Sequence, residues 1–171
     1  MTCQFGQSGS RGVGNQDFWR QNGTMPDTAP PPAFDPALLA SYRFWTDDLV
    51  RWGDLDSVGH VNNAIFARYF ESGRIAYLAA AGARLGDTAG EFMLVRLAID
   101  FHAQMHYPGA VRIGTRLARL GRSSASFAQA IFQDRQCAAS GEAVVVLVDR
   151  ASNRSTVMPA TMRQALSQLS D

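Results

Sequence analysis

Between residues 95 and 106, apolar and polar side chains take turns. Val95, Leu97, Ile99, Phe101, Ala103 and Met105 alternate with Arg96, Ala98, Asp100, His102, Gln104 and His106. A period of two predicts a strand with one face buried. Tyr107-Pro108-Gly109 reads as a turn. Val111, Ile113 and Leu117 then alternate with Arg112, Gly114 and Arg116, predicting a second strand that Gly121-Arg122 interrupts. Residues 124–133 and 141–149 read as two more strands, joined by a polar turn at Asp134-Arg135-Gln136. Upstream, residues 42–52 mix aromatics, Val, Leu and Thr and also read as a strand. A different period governs residues 64–81. Phe66, Phe70, Gly73 and Tyr77 share one helical face, with Ile65, Tyr69, Ser72 and Ala76 beside it. Polar residues there are few, so this helix should be enclosed on several sides. Asn62-Asn63 suits its N-cap and Gly82 its stop. A short helix over 160–169 is predicted after Pro159.

The order is strand, long helix, then about four antiparallel strands. One apolar helix and one sheet predict a two-layer α+β domain over residues 35–171. No βαβ alternation or internal repeat is present. Residues 1–34 differ in kind: rich in Gly, Ser, Gln, Asn, Thr and Pro, they end in Pro30-Pro31-Pro32. They are expected to form a poorly ordered extension, because little apolar surface is available to offset the entropy of ordering. Met25 offers an alternative start. Asp35-Pro36 suits the N-cap and first position of one helical turn.

Composition narrows the function classes. A content of 46% hydrophobic and 18% charged residues fits a soluble domain with a real core. Sixteen basic against fifteen acidic residues leave a net charge of +1, which argues against a broad nucleic-acid-binding face. Two cysteines, Cys3 and Cys137, do not suggest a disulfide framework or zinc-type spacing. Apolar runs such as Ala143–Val148 are too short for a membrane span, and the N-terminus lacks a signal-peptide pattern. A cytoplasmic location is the expectation.

The densest chemistry is the loop from Arg51 to Asn63. It sets Asp54, Asp56, His60, Asn62 and Asn63 immediately before the long helix. The first turn of a helix exposes unpaired N–H groups and partial positive charge, which suit an oxyanion. A carboxylate beside it can activate water or attack directly. The same residues also suit a turn shaped by Asp54 and Asp56 and a cap by an asparagine. Asp100, His102 and His106 share one predicted strand face; that admits a metal site, although a solvated polar face accounts for them as well, and no metal is expected. There is no G-x-S-x-G elbow and no phosphate-binding Gly-Lys loop.

The run RWGDLDSVGHVNN (51–63), followed by ARYFESGR (67–74), resembles the hotdog-fold thioesterases, especially the 4-hydroxybenzoyl-CoA and acyl-ACP groups. The likeness extends through HYPGAVRIG (106–114), LGRSSASF (120–127) and ASGEAVVVLVDRASNRSTVMP (139–159). It implies an antiparallel sheet of about five strands wrapped around one long central helix. It also implies a homodimer joined sheet edge to edge, or a dimer of such dimers, with active sites between subunits. The implied substrate is an acyl-CoA, with CoA as part of the substrate and no separate cofactor. Asp56 matches the catalytic aspartate. His60 matches a histidine of the acyl-ACP enzymes, although Val58 stands where those enzymes carry a functional Asn. One of Asn62 and Asn63 is expected to cap the helix and the other to touch the thioester. Glu71 is a second candidate base, or a partner of Arg74. Gly121-Arg122-Ser123-Ser124 matches the hairpin that holds pantetheine and phosphates, with Arg119 and Arg154 nearby. Phe66, Tyr69 and Phe70 are candidate pocket walls. A non-catalytic acyl-thioester-binding module and an acyl-ACP thioesterase are the alternatives.

Overall fold

The computed structural model describes residues 35–83 and 90–169. Expectations for residues 1–34 therefore lie outside the described residues. The elements run β1 (Phe44–Leu49), α1 (Asn63–Ala80), β2 (Glu91–Phe101), β3 (Ala110–Leu120), β4 (Ser124–Gln133), β5 (Gln136–Asp149), the two-residue β6 (Arg154–Ser155) and α2 (Ala160–Gln168). Every strand pairing is antiparallel, in the order β1-β3-β4-β5-β2, with β6 on β5. The sheet curls around α1. Register shifts interrupt β2 at Leu94/Arg96, β3 at Leu117/Arg119 and β4 at Ile131/Phe132. Such bulges add bend and twist. This is the hotdog architecture.

The helix sits in the concave face because its apolar stripe matches that face. Phe66, Phe70, Gly73 and Tyr77 are all buried, as their shared face predicts. The N-terminal half of α1 packs with Val111, Ile113, Ile131 and Met105. The C-terminal half packs Tyr77 and Leu78 against Phe127, Leu147 and Leu166. Gly73 lies where a Cβ would come within 2.6 Å of Ile113 and 2.8 Å of Thr115, so the helix approaches the sheet there as only glycine permits. On the other face of the sheet, Tyr42 covers Ala130 and Phe132 together with Leu39 and Trp45. Strand β4 is therefore enclosed on both sides.

Several boundaries differ from the expectation. The first strand spans 44–49, not 42–52, because Trp52–Asp54 closes into a 3₁₀ turn. Strand β2 begins at Glu91 and stops at Phe101. Beyond it, the amides of His102 and Ala103 both donate to Ala138 O and the chain leaves the sheet. Asp100, His102 and His106 consequently do not share a strand face, and the described residues hold no cluster of three metal-ligating side chains. Strand β5 begins at Gln136, five residues early, after a tight turn with Asp134 and Arg135 at positive φ. Asp35 caps no helix: its Oδ1 accepts from Ala37 N at 2.8 Å, and the 3₁₀ turn Leu39–Ser41 follows separately. No described helix is long and apolar enough to cross a membrane.

Candidate active site

The loop before α1 is built around two aspartates with different tasks. Asp54 is buried, and its carboxylate accepts from Arg51 N (2.8 Å), Tyr69 Oη (3.0 Å) and Arg68 Nη1 (3.4 Å). Its carbonyl accepts from Asn62 N at 2.9 Å. Asp54 thereby ties the loop to the helix it precedes. Burial, followed by the bond to Asp54, pushes the Tyr69 hydroxyl well above the usual phenol range. That phenol keeps its proton to donate.

Asp56 is half-exposed and holds the next turn. Its Oδ1 accepts from Val58 N at 2.9 Å and His60 N at 3.2 Å. The backbone closes the same turn through Asp56 N to His60 O (2.8 Å) and Gly59 N to Asp56 O (3.2 Å). Gly59 supplies the left-handed residue the turn requires, with φ of 83°. One carboxylate oxygen is thus fixed by two amides. The other, Oδ2, has no hydrogen-bond partner among the described residues.

A cavity of about 550 Å³ opens beside Asp56. Asp56, His60, Asn62 and Asn63 line one wall; Phe66, Phe101, His102, Ala103 and Gln104 line the rest. Asn62 is the helix cap, with its Oδ1 accepting from Ala64 N at 2.9 Å. Of the amides at 62, 63 and 64, two are already engaged, which narrows the expected set of open donors to the Asn63 N–H. The His60 ring packs edge-on against His106, with centroids 5.1 Å apart. The Val61 amide donates to Met105 O at 2.9 Å, so the segment after β2 fastens the loop from above.

Not every expected residue joins this cavity. Tyr69 and Phe70 are sealed in the core and do not line it. Glu71 is exposed on the rim of a separate groove, and no ion pair with Arg74 forms. Arg74 instead turns inward and donates to Gln129 Oε1 at 3.1 Å. The Arg122–Ser124 hairpin lies at the far end of the sheet. Ala110, at one end of β3, pairs with Leu49 beside the loop, whereas Leu120 leads into the hairpin. Ten residues of strand separate them by about 33 Å. Within one chain, Asp56 and Arg122 do not meet.

Phe101, Ala103 and Gln104 line the cavity without having been singled out from the sequence, and His102 was singled out only as part of a strand face that admits a metal. Their alternating pattern continued that of β2 and concealed the strand's end. The usable signal was Met105, whose carbonyl is the anchor for Val61 and whose side chain is fully buried.

Residues 50–166 match the family model described as the thioesterase-like superfamily. Among solved structures, the PA5185 protein from Pseudomonas aeruginosa strain PAO1 is 31% identical, covering 79% of this chain and 96% of its own, with a TM-score of 0.73. A thioesterase from Thermus thermophilus, complexed with coenzyme A and Zn, is 30% identical over 76% of this chain and 96% of its own, with a TM-score of 0.68. A thioesterase superfamily structure from Jannaschia sp. CCS1 is 28% identical over 77% and 85%, with a TM-score of 0.71. No curated protein matches the sequence.

Proposed function

Because the chain belongs to the thioesterase-like superfamily, we propose that it hydrolyses acyl-CoA thioesters to a free acid and CoA through Asp56. The observation that carries this is the asymmetry of that carboxylate. Its Oδ1 is held by two amides, Oδ2 has no partner among the described residues, and the residue lines a cavity at the mouth of α1. The thioester carbonyl oxygen accepts from the Asn63 N–H, at the positive end of the helix. Asp56 Oδ2 either takes a proton from the attacking water or attacks the carbonyl carbon itself. In the first course, the tetrahedral intermediate collapses and expels the CoA thiolate. In the second, attack by Oδ2 expels the CoA thiolate and leaves a mixed anhydride, which water cleaves to the free acid and the Asp56 carboxylate. His60 serves the site through its backbone and its packing on His106 rather than as the acid or base.

The site is completed by a second copy of the chain in this reading. Strand β2 is a sheet edge, and Met93, Leu94 and Val95 on it are exposed, as is Ile75 of α1. Antiparallel pairing of two such edges about a two-fold axis placed near Arg96, the middle of β2, sets residues 91–94 of one copy against 98–101 of the other. The partner's Arg122 hairpin shares the 91-end of the sheet through Ser124, Val146 and Met93. It is thus carried toward Asp56, where Arg122 and the Ser123 and Ser124 hydroxyls meet the CoA phosphates and pantetheine. A cytoplasmic setting belongs to the same proposal, consistent with the free thiol of Cys137.

Thiol release measured over short, long, branched and aryl CoA esters tests the activity. Asp56→Asn should lower turnover by about 10²-fold or more with the fold intact, in line with general-base and electrostatic contributions of ~10²–10⁴. Unchanged turnover removes Asp56 from the mechanism. Binding of CoA esters without thiol release would make the protein a sensor rather than an enzyme. Label recovered in Asp56 after a single turnover in ¹⁸O-water identifies the anhydride course, since water attack at the Asp56 Cγ of an anhydride introduces it and the general-base course does not.

A further inference from the structure

A second hollow, of about 650 Å³, runs along α1 beside the start of β2. Ile75, Leu78, Phe92, Leu94, Val145 and Met162 make it mostly apolar. One of its walls is unexpected. Arg74 borders it and is only 4% exposed. The guanidinium donates through Nη1 to Gln129 Oε1, and to no other acceptor among the described residues. Gln129 is fixed in that orientation, because its Nε2 donates to Phe70 O and Thr115 Oγ1, each at 3.0 Å. No hydrogen bond from Nε or Nη2 to an acceptor is present among the described residues, and Arg74 lines the hollow.

A guanidinium withdrawn from water is costly unless acceptors replace the lost hydration. Nε and Nη2 form one planar edge of the fork, the geometry that a carboxylate fills with two parallel hydrogen bonds. Desolvation lowers the basicity of Arg74, and the charge of Glu71 counters it only in part. Glu71 itself is exposed on the rim and forms no ion pair with the guanidinium. The other carboxylate on the lining of this apolar trough, Glu91, is paired with Arg150, so the buried, half-satisfied cation of Arg74 is left to an aliphatic chain that carries an anion.

We propose that this trough takes the acyl part of the substrate and that Arg74 selects acyl groups with a carboxylate at their far end, a substrate class that rests on the hydrolase reading above. Within one copy, Arg74 lies eleven residues beyond Asn63, roughly 16 Å along the helix. In the two-copy arrangement, the partner's trough, walled by Phe92 and Leu94, faces the Phe101 side of the Asp56 cavity. The thioester then sits at one copy's Asp56 while the chain points to the other copy's Arg74. Arg74 acts as a specificity residue, and no covalent step passes through it.

Binding of uncleavable thioether analogues tests this independently of hydrolysis. The probes are octyl-type CoA thioethers with and without a terminal carboxylate, titrated against the full chain, its Arg74→Met variant and its Arg74→Lys variant. The carboxylated probe should bind wild type at least tenfold more tightly than the plain one. Arg74→Met should abolish or reverse that preference, and Arg74→Lys should keep part of it. Equal binding of the two probes to wild type overturns the inference, as does binding of neither, or a preference that survives Arg74→Met. Wild type alone therefore decides if the methionine variant does not fold. Thiol release from the matching thioesters is read in parallel. Cleavage of both esters without the binding preference sinks the role of Arg74 alone, whereas the preference without cleavage sinks the hydrolase reading alone.

Discussion

Asp54 and Asp56 are separated by a single leucine and have opposite surroundings. Asp54 is sealed, with three donors converging on its carboxylate. Asp56 lines the cavity and has one oxygen without a partner among the described residues. The sequence showed a pair of carboxylates before a helix and, through the motif, favoured the second. It did not show what the first is for, because its main side-chain partner, Tyr69, lies fifteen residues away on the helix. Hydrogen bonds to charged groups contribute about 1.5–3 kcal/mol. Tyr69→Phe is expected to destabilise the fold by about that amount, measured as a lowered urea midpoint at unchanged m-value. A midpoint equal to wild type would mean that the phenol is not needed to hold the loop. The Asn pair divides in a similar way: either residue suited the cap, and only the backbone path shows that Asn62 takes it.

Elements were most legible where a local signal marks both ends. Helix α1 runs 63–80 against an expected 64–81, because Asn62 caps it and Gly82 follows it. Strand β4 matches its expected bounds. Strand β2 was misplaced by four or five residues at each end, for two physical reasons. Val95 falls in a bulge, which breaks the alternation through Phe92–Leu94, and the pattern past Phe101 belongs to a segment held by Ala138 and Val61 instead of a ladder. Close packing at this level supplies a further test. Alanine is normally favoured over glycine in a helix by up to about 1 kcal/mol. At position 73 the added Cβ meets Ile113, Thr115 and Gln129 at 2.6–2.9 Å. Overpacking of this kind costs ~1–3 kcal/mol, so Gly73→Ala should lower the melting temperature despite the better helix former. A raised melting temperature would show that the helix and sheet can move apart there.

The sheet-and-helix architecture of the whole molecule followed from the order of the elements and from the motifs. The distribution of the site over the molecule did not, because it depends on which end of a curled sheet each loop occupies. One chain keeps the Asp56 loop and the Arg122 hairpin at opposite ends of β3, a strand about 33 Å long. The exposed apolar edge at Met93–Val95 is where a second copy would correct that separation. Val95→Lys places a charge on this edge, a device that natural sheets use to block pairing. The variant should sediment as a monomer, retain its circular dichroism, and lose tenfold or more of the thiol-release activity. Full activity in a proven monomer would place the whole site within one chain.

The distance between acid and hairpin has a genetic consequence. In the proposed arrangement every working centre draws its carboxylate from one gene product and its phosphate grip from another. Two alleles, each crippled at one of these positions, would rescue one another in a mixed assembly. One of its two centres would inherit both sound halves, and the other both defects.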